Sequence, residues 1–291
     1  MNFGQNKLNG VYHLCSDGNY SSIIFRDEKD FIAAMNRVAV LAFKTGVTII
    51  AFVLMDNHFH FAVYGKDYEQ VLRFVNEFKR LTGQHNSQKY GERNALRKLP
   101  VKIIPVETVE YLQTLICYII KNPTKARIAM FFDYPWGSGK LLFRQSAITD
   151  GIKIGSLGSK ERRKHLSTHT NLPENWIIVD GVIDPSNYIP VERIENLFKT
   201  VRSYMFYLSL NKDDELEREM DSRSEANMTD TELRAARNEL ITSLFGDVSL
   251  HKLSVPERLH LAKQIRWNYY CSRKQIARIV QLPFDTVASA L

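Results

Sequence analysis

The sequence predicts an α+β chain, with strands in its first half and a mainly helical second half. Three observations carry this. Short apolar runs from Val11 to Leu14, Val47 to Met55 and Leu99 to Val106 have strand length and strand composition. Between them, apolar residues recur at three- and four-residue spacing, the period of a helix face. From about Gly151 onward helical spacing dominates. The chain ends in two short helical segments joined at Gln281-Leu282-Pro283.

In order, a strand opens at Val11. A helix follows with Phe31, Ile32, Met35, Val38, Ala39, Ala42 and Phe43 on its apolar side, Asp27 as N-cap and Gly46 as stop. Val47 to Met55 is the second strand. Asp56-Asn57 interrupts it with turn-prone residues, and His58-Phe59-His60-Phe61 begins the third. Tyr68 to Leu81 reads as an amphipathic helix. Prolines 100 and 105 bracket an edge strand. Glu107 to Ile120 is the next helix, with Pro123 marking its end. Gly155 to His165 reads as a flexible basic linker and Trp176 to Pro185 as a hairpin turning at Asp180-Gly181. Helices follow from Val191 to Leu210 and from Thr229 to Phe245. The acidic run 213–219 reads as a solvated helix end or linker.

The chain has 291 residues and 44% hydrophobic content, so a sizeable core is expected. A net charge of +7 points to a polyanionic partner. Apolar runs break well before the roughly 20 residues a membrane span needs, and MNFGQNKLNG lacks a leader pattern. Cys15, Cys117 and Cys271 are odd in number and far apart, which fits reduced thiols and a cytoplasmic setting.

In a strand His58 and His60 face one way while Phe59 and Phe61 face the other. The Phe side can pack in a core, and the two imidazoles can reach one metal ion. A merely wetter strand face gives the same pattern, so the pair needs company. Residues 71–102 hold eight Lys or Arg against two acids, among them Arg73, Lys79, Arg80, Arg93, Arg97 and Lys98. That concentration fits phosphate contacts. Tyr111, Tyr118 and Asn122 recur at seven and four residues, close together on one helix side. Tyrosine is a covalent nucleophile elsewhere in biology.

The tail carries two capping boxes, Ser254-x-x-Glu257 and Ser272-x-x-Gln275. Gln275, Ala277, Thr286 and Val287 have the spacing of a helix-turn-helix, with Arg273, Lys274, Thr286 and Ser289 as candidate DNA contacts. Gln281 stands where such a turn usually has glycine. A plain helical hairpin is the alternative.

The run Val53-Leu-Met-Asp-Asn-His-Phe-His60, then Tyr118-Ile-Ile-Lys-Asn-Pro123, then Asp133-Tyr-Pro-Trp136, resembles the single-tyrosine HUH transposases, and within them the REP-associated tyrosine transposases. That family's patterns run Val-Met-Pro-Asn-His-x-His, Tyr-Ile-His-x-Asn-Pro and Tyr-Pro-Trp-Ser. The resemblance spans about residues 10–145. It implies a ferredoxin-like antiparallel sheet with helices, His58 and His60 as metal ligands, Asn122 as third ligand and Tyr118 as nucleophile. It also implies Mg²⁺ or Mn²⁺ as cofactor and single-stranded or hairpin DNA beside repeats as substrate. Asp56, Ile120 and Gly137 depart from the family's Pro, His and Ser.

The expected organisation is a catalytic domain over 1–145, a linker with accessory helices over 146–250 and a helix-turn-helix over 251–291 that meets duplex DNA. No membrane partner is expected, and monomer and homodimer both stay open. The expected activity is DNA nicking and strand transfer through a 5′-phosphotyrosine. The alternatives are a DNA-binding protein that no longer cuts and a metal-dependent hydrolase using the His pair alone.

Overall fold

The computed structural model describes residues 8–16, 23–92, 96, 99–144, 151–166, 170–210, 216, 230–269 and 273–290. The chain divides into two compact units, Met1–Lys212 and Asp213–Leu291.

The first unit opens with β1 (Val11–Ser16), α1 (Glu28–Thr45), β2 (Thr48–Leu54), β3 (Phe59–Tyr64), α2 (Tyr68–Tyr90), β4 (Val101–Pro105) and α3 (Val109–Lys125). The four strands form one antiparallel sheet in the order β2-β3-β1-β4. Asp27 caps α1 by accepting from the Asp30 N–H, and Gly46 closes it at φ 72°. The turn into β3 is fastened by the Met55 N–H, which donates to the His58 carbonyl at 2.8 Å.

Strand alternation sorts the sheet into two faces. Leu14 and Phe52 both lie opposite Phe61, so they share its face. Phe74 and Phe78 of α2 meet Phe59 and Phe61 edge-on, with centroids 5.2–5.5 Å apart. Cys15 and Val53 both lie opposite His60, and with His13 they make the other face, against which Tyr118 of α3 packs.

Two helices outrun the sequence expectation. α2 continues past Leu81 to Tyr90 although its apolar stripe fades. Polar contacts take over there. Asn86 donates to the Ile24 carbonyl, while His85, Lys89 and Tyr90 all reach Asp30 of α1. α3 passes through Pro123 to Lys125. Pro123 falls in the last turn, so the one bond its missing N–H forfeits, to the Ile119 carbonyl, lies at the helix end.

After α3, residues 136–138 pair with β2. Leu54 N–H donates to the Trp136 carbonyl, Ser138 N–H to the Phe52 carbonyl, and the Ser138 hydroxyl accepts from Phe52 N–H. A Cβ on Gly137 would meet the Phe52 carbonyl oxygen at 2.8 Å, which explains glycine at this position.

The stretch read as a flexible linker instead contains α4 (Ser159–Leu166), and β5 (Ile152–Lys153) precedes it. Ile154 and Leu166 give it an apolar anchor against Ala39 and Val40 of α1. β5 pairs with a hairpin of β6 (Ile177–Val179) and β7 (Val182–Ile183), turning at Asp180 (φ 49°) and Gly181 (φ 81°). Asn36 clamps that hairpin to α1 by donating to the Gly181 carbonyl and accepting from Ile183 N–H. The single helix expected from Val191 to Leu210 is two, α5 (Val191–Phe198) and α6 (Val201–Ser209), broken at Lys199 with φ 63°. Gln113 and Lys121 of α3 donate to the Leu197 and Leu210 carbonyls.

The second unit contains α7 (Asp230–Phe245), α8 (Val255–Asn268), α9 (Arg273–Val280) and α10 (Phe284–Ala290). Leu233, Ile241, Leu261, Ile265, Ile276, Ile279 and Val287 form its core. The Ser254 N–H and hydroxyl both donate to Glu257, the expected capping box. Ser272 of the second box lies outside the described residues; Gln275 donates to Asp230. Gln281 holds φ 55°, the left-handed conformation that suits glycine. The acidic run 213–219 lies outside the described residues except for Leu216. Among the described residues no helix is long and apolar enough to cross a membrane.

Candidate active site

The non-aromatic face of the sheet gathers unusual chemistry for a buried surface. His13 is fully buried, and His60, Tyr118 and Asn122 are each at most 9% exposed. Each must be satisfied within the fold or held for a ligand.

His58 ends the turn before β3. Its Nδ1 lies 2.6 Å from Asn57 Oδ1, an acceptor, so Nδ1 carries the proton. In the neutral ring Nε2 then offers a lone pair, and 3.4 Å away stands Asn122 Oδ1, also an acceptor. Asn122 is oriented by its Nδ2, which donates to the Tyr118 carbonyl at 3.0 Å. Two acceptors therefore face each other across a gap that a cation can bridge.

His60 is held differently. Its Nδ1 lies 3.1 Å from His13 Nε2. The ring centroids are 5.3 Å apart and the planes within 14°. That combination describes two nearly coplanar imidazoles joined end to end by N–H···N, not a face-to-face stack. The His58 and His60 rings are 5.2 Å apart and nearly perpendicular. Both histidines thus have Nδ1 engaged, which leaves Nε2 of each as the available ligand atom.

Burial pushes the His13 imidazole down to about 3, with Lys102 adding to the effect. Burial also holds His60 well below its ordinary value, helped by His13, His58 and Lys125. Both rings are neutral at pH 7, the form that binds metal.

Tyr118 projects from α3 with its ring 5.4 Å from the His60 ring and 6.4 Å from that of His13. Lys125 Nζ sits 5.8 Å from the Tyr118 ring centroid. A neighbouring group, His13, Cys15 and His60, has ligand atoms within 4.8 Å of one another and could also hold a metal ion. An ion there displaces the His13–His60 hydrogen bond, whereas one shared by His58 and His60 leaves it in place.

The basic candidates scatter. Arg73 is exposed, Arg80 pairs with Glu77 at 2.8 Å, and Lys79 donates to the Leu99 carbonyl while burial pushes its ammonium down. Arg93, Arg97 and Lys98 lie outside the described residues. Arg273 and Lys274 open α9, although their side chains are outside the described ones. Thr286 is half-buried on α10, and Ser289 is exposed with its hydroxyl donating to the Asp285 carbonyl. Tyr111 stands in the first turn of α3, its N–H donating to Thr108.

Two residues were missed from sequence. In the sequence Asn57 signals only a turn. His13 sits 47 positions from His60, and only the register Cys15↔His60 brings it close.

No protein-family model matches this chain, and no curated protein matches it. Among solved structures, a REP-associated tyrosine transposase bound to a REP hairpin is similar at 15% identity and a TM-score of 0.32, covering 47% of this chain and 82% of that one.

Proposed function

We propose that this protein nicks and transfers single-stranded or hairpin DNA through a covalent 5′-phosphotyrosine on Tyr118. In this reading the sheet of the first unit is ferredoxin-like, with residues 1–145 carrying the chemistry and 146–250 supporting it. Residues 251–291 contain a helix-turn-helix, α9 and α10, that meets duplex DNA through Arg273, Lys274, Thr286 and Ser289. The left-handed Gln281 supports this, since it stands where such turns usually place glycine.

The observation that carries the reading is the meeting of His58 Nε2 and Asn122 Oδ1 at 3.4 Å, beside His60 and one helical turn from Tyr118. His58, His60 and Asn122 would hold Mg²⁺ or Mn²⁺. The carbonyl oxygen suits either, and two imidazoles favour Mn²⁺. When bound, such an ion neutralises charge on the phosphate oxygens.

The Tyr118 oxygen forms a bond to phosphorus as the bond to the 3′ oxygen breaks. The phenol loses its proton to solvent and the departing 3′ oxygen gains one. The products are a 5′-phosphotyrosyl strand and a free 3′-hydroxyl. The new ester retains the bond energy, so a 3′-hydroxyl can reverse the step without ATP. A free phenol titrates near about 10, so at pH 7 it needs help from its surroundings. Asn122 assists by position, because its amide is tied to the Tyr118 carbonyl.

The test is incubation with labelled single-stranded hairpin DNA and Mg²⁺ or Mn²⁺. A covalent adduct is expected, lost in Tyr118→Phe and kept in Tyr111→Phe. Tight binding with no adduct favours a non-cleaving binder, and turnover that survives Tyr118→Phe favours a hydrolase.

A further inference from the structure

The buried histidine of β1 has no part in the reading above, yet its Nε2 lies 3.1 Å from Nδ1 of His60, a proposed ligand. We propose that His13 is a positioning residue for the cation site. It holds the His60 ring end-on, takes the proton of His60 Nδ1 as a hydrogen-bond acceptor, and so keeps His60 Nε2 unprotonated and open toward His58 and Asn122. The inference rests on the proposed function for the identity of the site but not for the hydrogen bond itself.

Three observations carry it. The 3.1 Å separation, the 5.3 Å centroid distance and the 14° interplanar angle leave little freedom for either ring. His13 is fully buried, and its own Nδ1 has no hydrogen-bond partner. A buried polar atom left in that condition costs stability, so packing alone favours an apolar residue here. The polar contact that His13 does make is the one to His60. The same logic operates at the neighbouring ligand, where Asn57 Oδ1 takes the Nδ1 proton of His58. Each imidazole thus has its own partner, one an amide and the other a second imidazole. Such partners fix the tautomer and orientation of metal-binding histidines, and losing one costs about 10- to 100-fold in metal affinity.

The test uses the full chain and two variants, His13→Leu and His13→Gln. Leucine fills similar space without an acceptor, whereas the glutamine carbonyl can still accept from His60 Nδ1. The first readout is the nitrogen NMR spectrum of His60 in metal-free protein. Wild type is expected to show a protonated Nδ1 and a bare Nε2, His13→Gln the same, and His13→Leu a shift of the proton to Nε2. The second is Mn²⁺ affinity by calorimetry, expected to fall about 10- to 100-fold in His13→Leu and to recover in His13→Gln. Circular dichroism checks that both variants are folded. A wild-type His60 protonated on Nε2, or a His13→Leu protein that binds Mn²⁺ like wild type, overturns the proposal. So does a folded His13→Gln protein as weak as His13→Leu. Absence of a DNA adduct instead overturns the strand-transfer reading and leaves the tautomer result standing.

Discussion

Two buried polar groups on opposite sides of the four-stranded sheet, Asp30 and His13, are treated in opposite ways. Above the aromatic face, α1 and α2 enclose one carboxylate, Asp30. It accepts from Arg26 N–H, Lys89, His85 and the Tyr90 hydroxyl, at 2.7–2.9 Å. On the other face His13 Nδ1 has no hydrogen-bond partner, and His58 Nε2 meets another acceptor. Asp30 and His13 are both withdrawn from water, but only the carboxylate has its polar atoms partnered. A saturated polar cluster holds helices together, and an unsaturated one at a sheet surface marks where a ligand is expected.

The largest effect expected from breaking this contrast comes from the aromatic side. Phe61 is fully buried and touches rings of both strands and α2. Phe61→Ala should cost about 3–5 kcal/mol in urea denaturation, through lost transfer energy and the cavity left behind. Asp30→Ala follows at about 2 kcal/mol, because it leaves Arg26 N–H, His85 and the Tyr90 hydroxyl without their acceptor while Lys89 keeps Asp27. Burial pushes the Asp30 carboxyl up, and bonds from Lys89, Arg26 N–H, Tyr90 and His85 overcome that and hold it well below the usual range. Its stabilising contribution is therefore whole above its ordinary value of 3.8 and is lost as pH falls below it. Acid denaturation of wild type should steepen below that point, and in Asp30→Ala the steepening should shrink. The smallest change in stability belongs to the other face. His58→Ala should move stability by no more than about 1 kcal/mol while abolishing Mn²⁺ binding measured by calorimetry. A large loss of stability in His58→Ala would erase the contrast.

Much of the contrast was legible in the sequence. The turn at Asp56-Asn57 and the alternation through His58 to Phe61 assign the two faces without coordinates. The seven- and four-residue spacing of Tyr111, Tyr118 and Asn122 put them on one side of α3. What stayed hidden depends on contacts remote along the chain. His13 looks like any polar residue in a strand until β1 pairs with β3. Asp30 looks like a helix-start acid until the last turn of α2 reaches it, and that turn was itself unreadable because its contacts are polar. Lys199 breaks a helix without glycine or proline to announce it.

The pairing of residues 136–138 with β2 has an effect at the rim of the sheet. Without it, β2 would present a bare row of amides and carbonyls to any other extended chain. Gly137 lets a length of backbone lie close enough to occupy part of that row, and on the opposite border β4 ends in a proline. With both margins blunted, the sheet resists templating of its own kind, the route by which exposed strands recruit one another into aggregates.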